Sequence, residues 1–121
     1  MNAISSNLSL PRERAQPVGA AGMKWAALQD AAAGVAVLAG LQPEIPSLDI
    51  RRFPTLIRDA GGWRLTLAEQ GIDDLVAIME PGIEALLAVH ERGGDAAIPA
   101  MALWHEFQDA RIALLALLPH D

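Results

Sequence analysis

From residue 23 onward, apolar side chains recur every three or four positions, and glycine and proline interrupt the recurrence at a few points. That spacing gathers side chains on one face of an α-helix. In "MKWAALQDAAAGVAVLAG" the face is Trp25, Leu28, Ala32, Val35 and Ala39, and Gly40 and Pro43 stop it. Ala32, Ala36 and Gly40 form a second stripe of small residues along which another helix can approach closely. Ser47 is a suitable N-cap, with Asp49 in the following turn. Pro54 removes a helix donor and disfavours helical angles at Phe53, so the pattern predicts a short helix and then a separate short turn over 54–59. Gly61 and Gly62 end it.

"WRLTL" alternates for five residues, but a lone strand has no partner in this chain, so a helical or irregular lead-in is expected. Thr66 and Glu69 fit a capping box: the Thr hydroxyl accepts from one free amide and the Glu side chain from another. The helix they open carries Ile72, Leu75, Val76 and Met79 on one face, with Asp73 and Asp74 opposite. Pro81 cannot donate to Ala77, which predicts a break at Glu80-Pro81 and a new helix beginning with Pro81. That helix is expected to bury Ile83, Leu86, Leu87 and His90 and to stop at Gly93-Gly94. Asp95 caps the last helix, where Pro99 in the first turn is tolerated, and Leu103, Phe107, Ala110, Leu114 and Leu117 make its core stripe.

The pattern changes near the end. In "RIALLALLPHD" residues 112–118 are all apolar, so Ile112 and Leu115 stand opposite the core stripe. A helix apolar on every side is either central to a bundle or covered by another subunit. Leaving Ile112 and Leu115 bare forgoes roughly 2 kcal/mol of burial each. The expectation is a homodimer or higher homo-oligomer with Ile112, Leu115 and Leu118 at the contact.

Composition narrows the function classes. With 121 residues, 52% hydrophobic and 20% charged, the chain can bury a core without disulfides or a structural metal. Residues 1–22 have no apolar period and read as a flexible N-terminal tail, leaving 23–121 as a single α-helical domain. There is no cysteine, which removes thiol catalysis and thiolate metal sites. The start lacks the charge-then-apolar order of a signal peptide, and the longest uncharged apolar stretch, 31–41, falls short of the roughly 20 residues of a membrane span. A cytoplasmic protein that uses neither membrane nor nucleic acid is expected, the latter from the net charge of −6. Charge is segregated: residues 69–109 hold nine acids and one base, Arg92, whereas 49–64 hold four arginines and two acids. Pairing of the two stretches, within a chain or across a dimer, is expected.

Candidate chemistry is sparse. His105 and Asp109 are one helical turn apart and, with Glu84 from a neighbouring helix, form a metal-ligand set lacking the second histidine of the H-E-x-x-H pattern. His90, near a helix C-terminus, reads as a structural or capping histidine. No nucleophile is paired with a base, and neither "RDAGGWR" nor "ERGGD" has the spacing or the lysine of a phosphate loop. Trp63, Arg64, Trp104 and His105 are candidates for an inter-helix ligand pocket, and no cofactor is implied. The reading is an all-α, compact irregular bundle of five or six short helices. Its expected role is that of a non-enzymatic, homo-oligomerising interaction or regulatory module. The alternative is a small apolar-ligand or metal-binding helical protein, or an enzyme, using the pocket near Trp63, Trp104 and His105.

Overall fold

The computed structural model describes residues 19–42 and 44–119, and within them every regular element is a helix. There are four: α1 (Gly19–Leu38), α2 (Leu48–Ala60), α3 (Gly62–Glu91) and α4 (Ala97–Leu115). The all-α class holds, with fewer and longer helices than the five or six expected. Of the expected tail, residues 1–18 lie outside the described residues, while residues 19–22 open α1 and Gly22 is buried.

Neither interior proline breaks its helix. Pro54 sits within α2, which Ser47 caps by accepting from the Ile50 amide at 3.2 Å. The carbonyl that Pro54 cannot serve is that of Ile50, four residues back. It accepts instead from the indole Nε1 of Trp25 at 2.7 Å. The Trp25 ring also stacks on Phe53, centroids 4.4 Å apart. One tryptophan on α1 thus satisfies the gap in α2 and docks the two helices.

Pro81 lies within α3, a single helix of 30 residues. The expected break does not occur because Ala68, Ile72, Leu75, Met79 and Leu86 are buried on one continuous face that runs through it. Pro81 and Ala77 are exposed, so water can reach the carbonyl that loses its donor. Leu87, 49% exposed, and His90 fall outside this face, correcting the expectation that they are buried. Thr66 does not open α3: the Gly61-Gly62 pair, φ +63° and +58°, turns the chain sharply enough for α3 to begin at once. The Thr66 hydroxyl, one turn inside, donates to the Gly62 carbonyl at 3.3 Å. "WRLTL" is therefore helical.

In the α3–α4 turn Gly94 N–H returns to the Val89 carbonyl at 2.9 Å. Asp95 Oδ1 accepts from the Ala97 amide at 2.9 Å, but the N-cap position of α4 is Ala96, so the expected cap sits one residue ahead of it. Each helix touches the other three. The centre is filled by Phe53, Ile72, Leu75, Met79 and Phe107, each burial worth roughly 2–3 kcal/mol. On α4 the buried face is Ala100, Leu103, Trp104, Phe107, Arg111 and Leu114, so the stripe is turned toward Arg111 and away from Ala110 and Leu117.

Candidate functional site

Two openings in this bundle differ in chemistry, and they lie on opposite flanks of α4. The first is polar at its heart. Arg111 follows Trp104 by seven residues and Phe107 by four, so all three project from one face of α4 toward α1. Arg111 is 4% exposed and is the buried charged residue among those described. Its Nη2 donates to both carboxylate oxygens of Glu44, at 3.0 and 2.9 Å, and its Nη1 to Gln29 Oε1 at 2.8 Å. The guanidinium carbon stands 4.9 Å from the Phe107 ring centroid and 5.9 Å from that of Trp104. Arginine has no acceptor, so Gln29 must turn its oxygen to it. The Gln29 Nε2 is left buried and without a partner. Beside this cluster is a cavity of about 130 Å³, walled by Ala32, Ala33 and Ala36 of α1, by Leu41 and Pro46, and by Trp104.

The second opening is an apolar groove along the α3–α4 seam, made of two cavities of about 360 and 350 Å³ that share Ile78. Small residues keep the seam close. A Cβ on Gly71 would stand 2.7 Å from Leu114 Cδ2, and one on Gly82 2.9 Å from both methyl carbons of Leu103. Leu67 and Ile78 remain 47% and 43% exposed in the groove, and Ala113 is exposed on the α4 side. Asp74 and Glu106 supply its charge, both acidic.

The expected site residues are dispersed. Trp63 is 60% exposed at the start of α3, with the Arg64 guanidinium 4.5 Å from its ring centroid. Trp104 is buried against Phe107 and lines the Arg111 cavity, while His105, next in sequence, is exposed. Trp63 and Arg64 line neither the Arg111 cavity nor the groove. Glu84, His105 and Asp109 are all exposed, and among the described residues no three His, Cys, Asp or Glu side chains gather as a metal site would require. Of the expected contact residues, Ile112 is 60% exposed, Leu115 is half-buried, and Leu118, at 9%, belongs to the protein's own core. Among the described residues the ion pairs Lys24–Asp73 at 2.6 Å and Arg111–Glu44 at 2.9 Å join neither Arg51 nor Arg52 to the acidic stretch of the same chain. No described helix is long and apolar enough to cross a membrane.

The Arg111 cluster was hidden in the sequence because its members are 82 and 67 residues apart. The available signal was an arginine in phase with Trp104 and Phe107. Set against protein-family models, curated proteins and solved structures, the chain matches none.

Proposed function

We propose that this chain is a non-enzymatic interaction module that works by self-association, its α3–α4 groove closing on the same groove of a second copy. The observation that carries this reading is the exposed apolar groove centred on Ile78, which is 43% exposed, with Leu67 at 47% toward one end. Its α3 lining recurs at the spacings of any helix face. Eleven, seven and four residues before it stand Leu67, Gly71 and Asp74, and four, seven and eleven after it stand Gly82, Ala85 and Val89, all lining the groove. Two antiparallel α3 helices related by a two-fold axis at Ile78 would set Leu67 against Val89, Gly71 against Ala85 and Asp74 against Gly82 of the other copy. A two-fold contact presents the same face twice, and this face can be opposed to itself in that way. The groove between Leu67 and Val89 is about 33 Å long at 1.5 Å per residue, and two adjacent helices are about 20 Å across. The footprint is then roughly 660 Å² per copy, or about 1,300 Å² in all, within the range of specific dimers.

This reading keeps the expected homo-oligomer and moves its contact from Ile112, Leu115 and Leu118 to the other flank of α4, because Leu118 is committed to the monomer's core. Sedimentation velocity at micromolar concentration tests it. The wild type should run as a dimer and Ile78→Glu as a folded monomer, since the substitution sets two carboxylates on the axis. A monomeric wild type, or a dimeric Ile78→Glu, would overturn it. A second reading, ligand binding, is favoured by the buried Gln29 amide nitrogen, which has no partner.

A further inference from the structure

Burying an arginine in a small helical bundle is costly, and a well-packed apolar side chain of similar volume commonly serves stability as well or better. Here the arginine is accompanied by an open apolar cavity and by a buried amide donor with nothing to bond. A merely structural ion pair explains neither. The two partners are also unequal: the Arg111 side chain is 5% exposed and fixed on α4, whereas that of Glu44 is 38% exposed and comes from the segment between α1 and α2. Among the described residues no backbone hydrogen bond holds Gln42 or residues 44–46. Glu44 is therefore a removable carboxylate seated on a fixed receptor.

We infer that the Arg111 cavity is a binding site for a small monocarboxylate, which takes the place of the Glu44 carboxylate on the arginine. The ligand's carboxylate would accept from both Arg111 Nη2 and Nη1. Gln29 Oε1, no longer needed by Nη1, would then rotate away so that Gln29 Nε2 donates to the same carboxylate. Its body would lie against Ala32, Ala33, Ala36 and Trp104. The size of that body follows from the volume. A cavity of about 130 Å³ is slightly below the roughly 150 Å³ that holds benzene, so the buried part has about six carbon atoms. A planar carboxylate on a guanidinium fork favours an acid over an amide or alcohol of the same shape, because the bonds are charge-assisted. Glu44 sets the affinity: the site is open only for the fraction of time that Glu44 is away, and the apparent dissociation constant rises by the inverse of that fraction. The site faces α1 and stands or falls independently of self-association through the α3–α4 groove.

Benzoate, with benzamide as its neutral counterpart, is the probe, and the indole N–H resonance of Trp104 in the full chain is the readout. Benzoate should shift that resonance in the wild type at millimolar concentration, and should bind Glu44→Gln roughly tenfold or more tightly, the internal competitor being gone. Benzamide should leave both unchanged over the same range. Ala33→Leu, a substitution at an exposed wall position, should abolish the benzoate response while the fold is kept. The inference is overturned if benzoate binds Glu44→Gln no more tightly than the wild type, or if benzamide matches it. Should Glu44→Gln fail to fold, the Ala33→Leu comparison decides: a benzoate response that survives it, or is missing from the wild type, is equally contrary.

Discussion

The indole N–H of Trp25 donates to the carbonyl of Ile50 at 2.7 Å, and that carbonyl is the one Pro54 leaves without a partner inside α2. A proline that reads in the sequence as a helix stop is thereby accommodated within a helix of 13 residues, because a second helix supplies the missing donor.

The two residues should be thermodynamically coupled. Trp25→Phe keeps the stacked ring but leaves a buried carbonyl unsatisfied, and should cost about 1–3 kcal/mol in chemical denaturation. In a Pro54→Ala background the backbone amide gained at that position can serve the Ile50 carbonyl, and the cost should fall by about 1 kcal/mol or more. Equal costs in the two backgrounds would mean that the indole bond does not compensate for the proline.

Pro81 has no side-chain substitute of this kind among the described hydrogen bonds, and Ala77 is exposed, so water can reach its carbonyl. Pro81→Ala restores an intrahelical bond in a continuous helix and should stabilise the protein, by up to about 3 kcal/mol. A neutral or destabilising result in denaturant titration would indicate that α3 bends at this point to pack.

Arg111 and Glu44 should respond asymmetrically. Glu44→Gln leaves a buried guanidinium without its counter-charge and should destabilise by about 1–3 kcal/mol. Arg111→Met removes the charge together with its requirement and should be neutral or stabilising. Thermal midpoints of the two variants, measured side by side, check the order.

Salt should strengthen the dimer. Asp74 and Glu106 of both copies would lie at the same contact, and their repulsion is screened as ionic strength rises past about 0.1 M. A dissociation constant that increases with sodium chloride would instead point to pairing of the acidic stretch with Arg51 and Arg52 of the other copy.

Much of this fold was legible in the residues. The face of α1, the Leu103, Phe107 and Leu114 part of the α4 face, the Gly61-Gly62 and Gly93-Gly94 stops and the Ser47 cap follow from local chemistry, whereas the turn of α4 toward Arg111 does not. The helix count did not, because the local cost of Pro54 and Pro81 omits what the docked helices and solvent supply. A signal against a break at Pro81 was present in the sequence: Ala68, Ile72, Leu75, Met79 and Leu86 stay in phase across it. A new helix starting at Pro81 would have had no reason to keep that register. The Trp25–Ile50 bond and the Arg111–Glu44–Gln29 cluster were not legible, because each joins elements whose docking no local spacing encodes. The groove was partly so, since the face of α3 through Leu67, Gly71, Ile78, Gly82 and Val89 is visible once α3 is known to be continuous.

Self-association about Ile78 is tested most directly by cross-linking. The chain has no cysteine, so Ile78→Cys introduces a single thiol. Ile98, at 82% exposure against 43% for Ile78, supplies the control, because random collisions would favour Ile98→Cys. On a two-fold axis the Ile78→Cys thiols meet at an effective concentration in the millimolar range, so at micromolar protein disulfide dimers should form on the order of 100-fold faster than for Ile98→Cys. An Ile98→Cys variant that cross-links as fast as Ile78→Cys, or faster, would contradict a two-fold contact at Ile78.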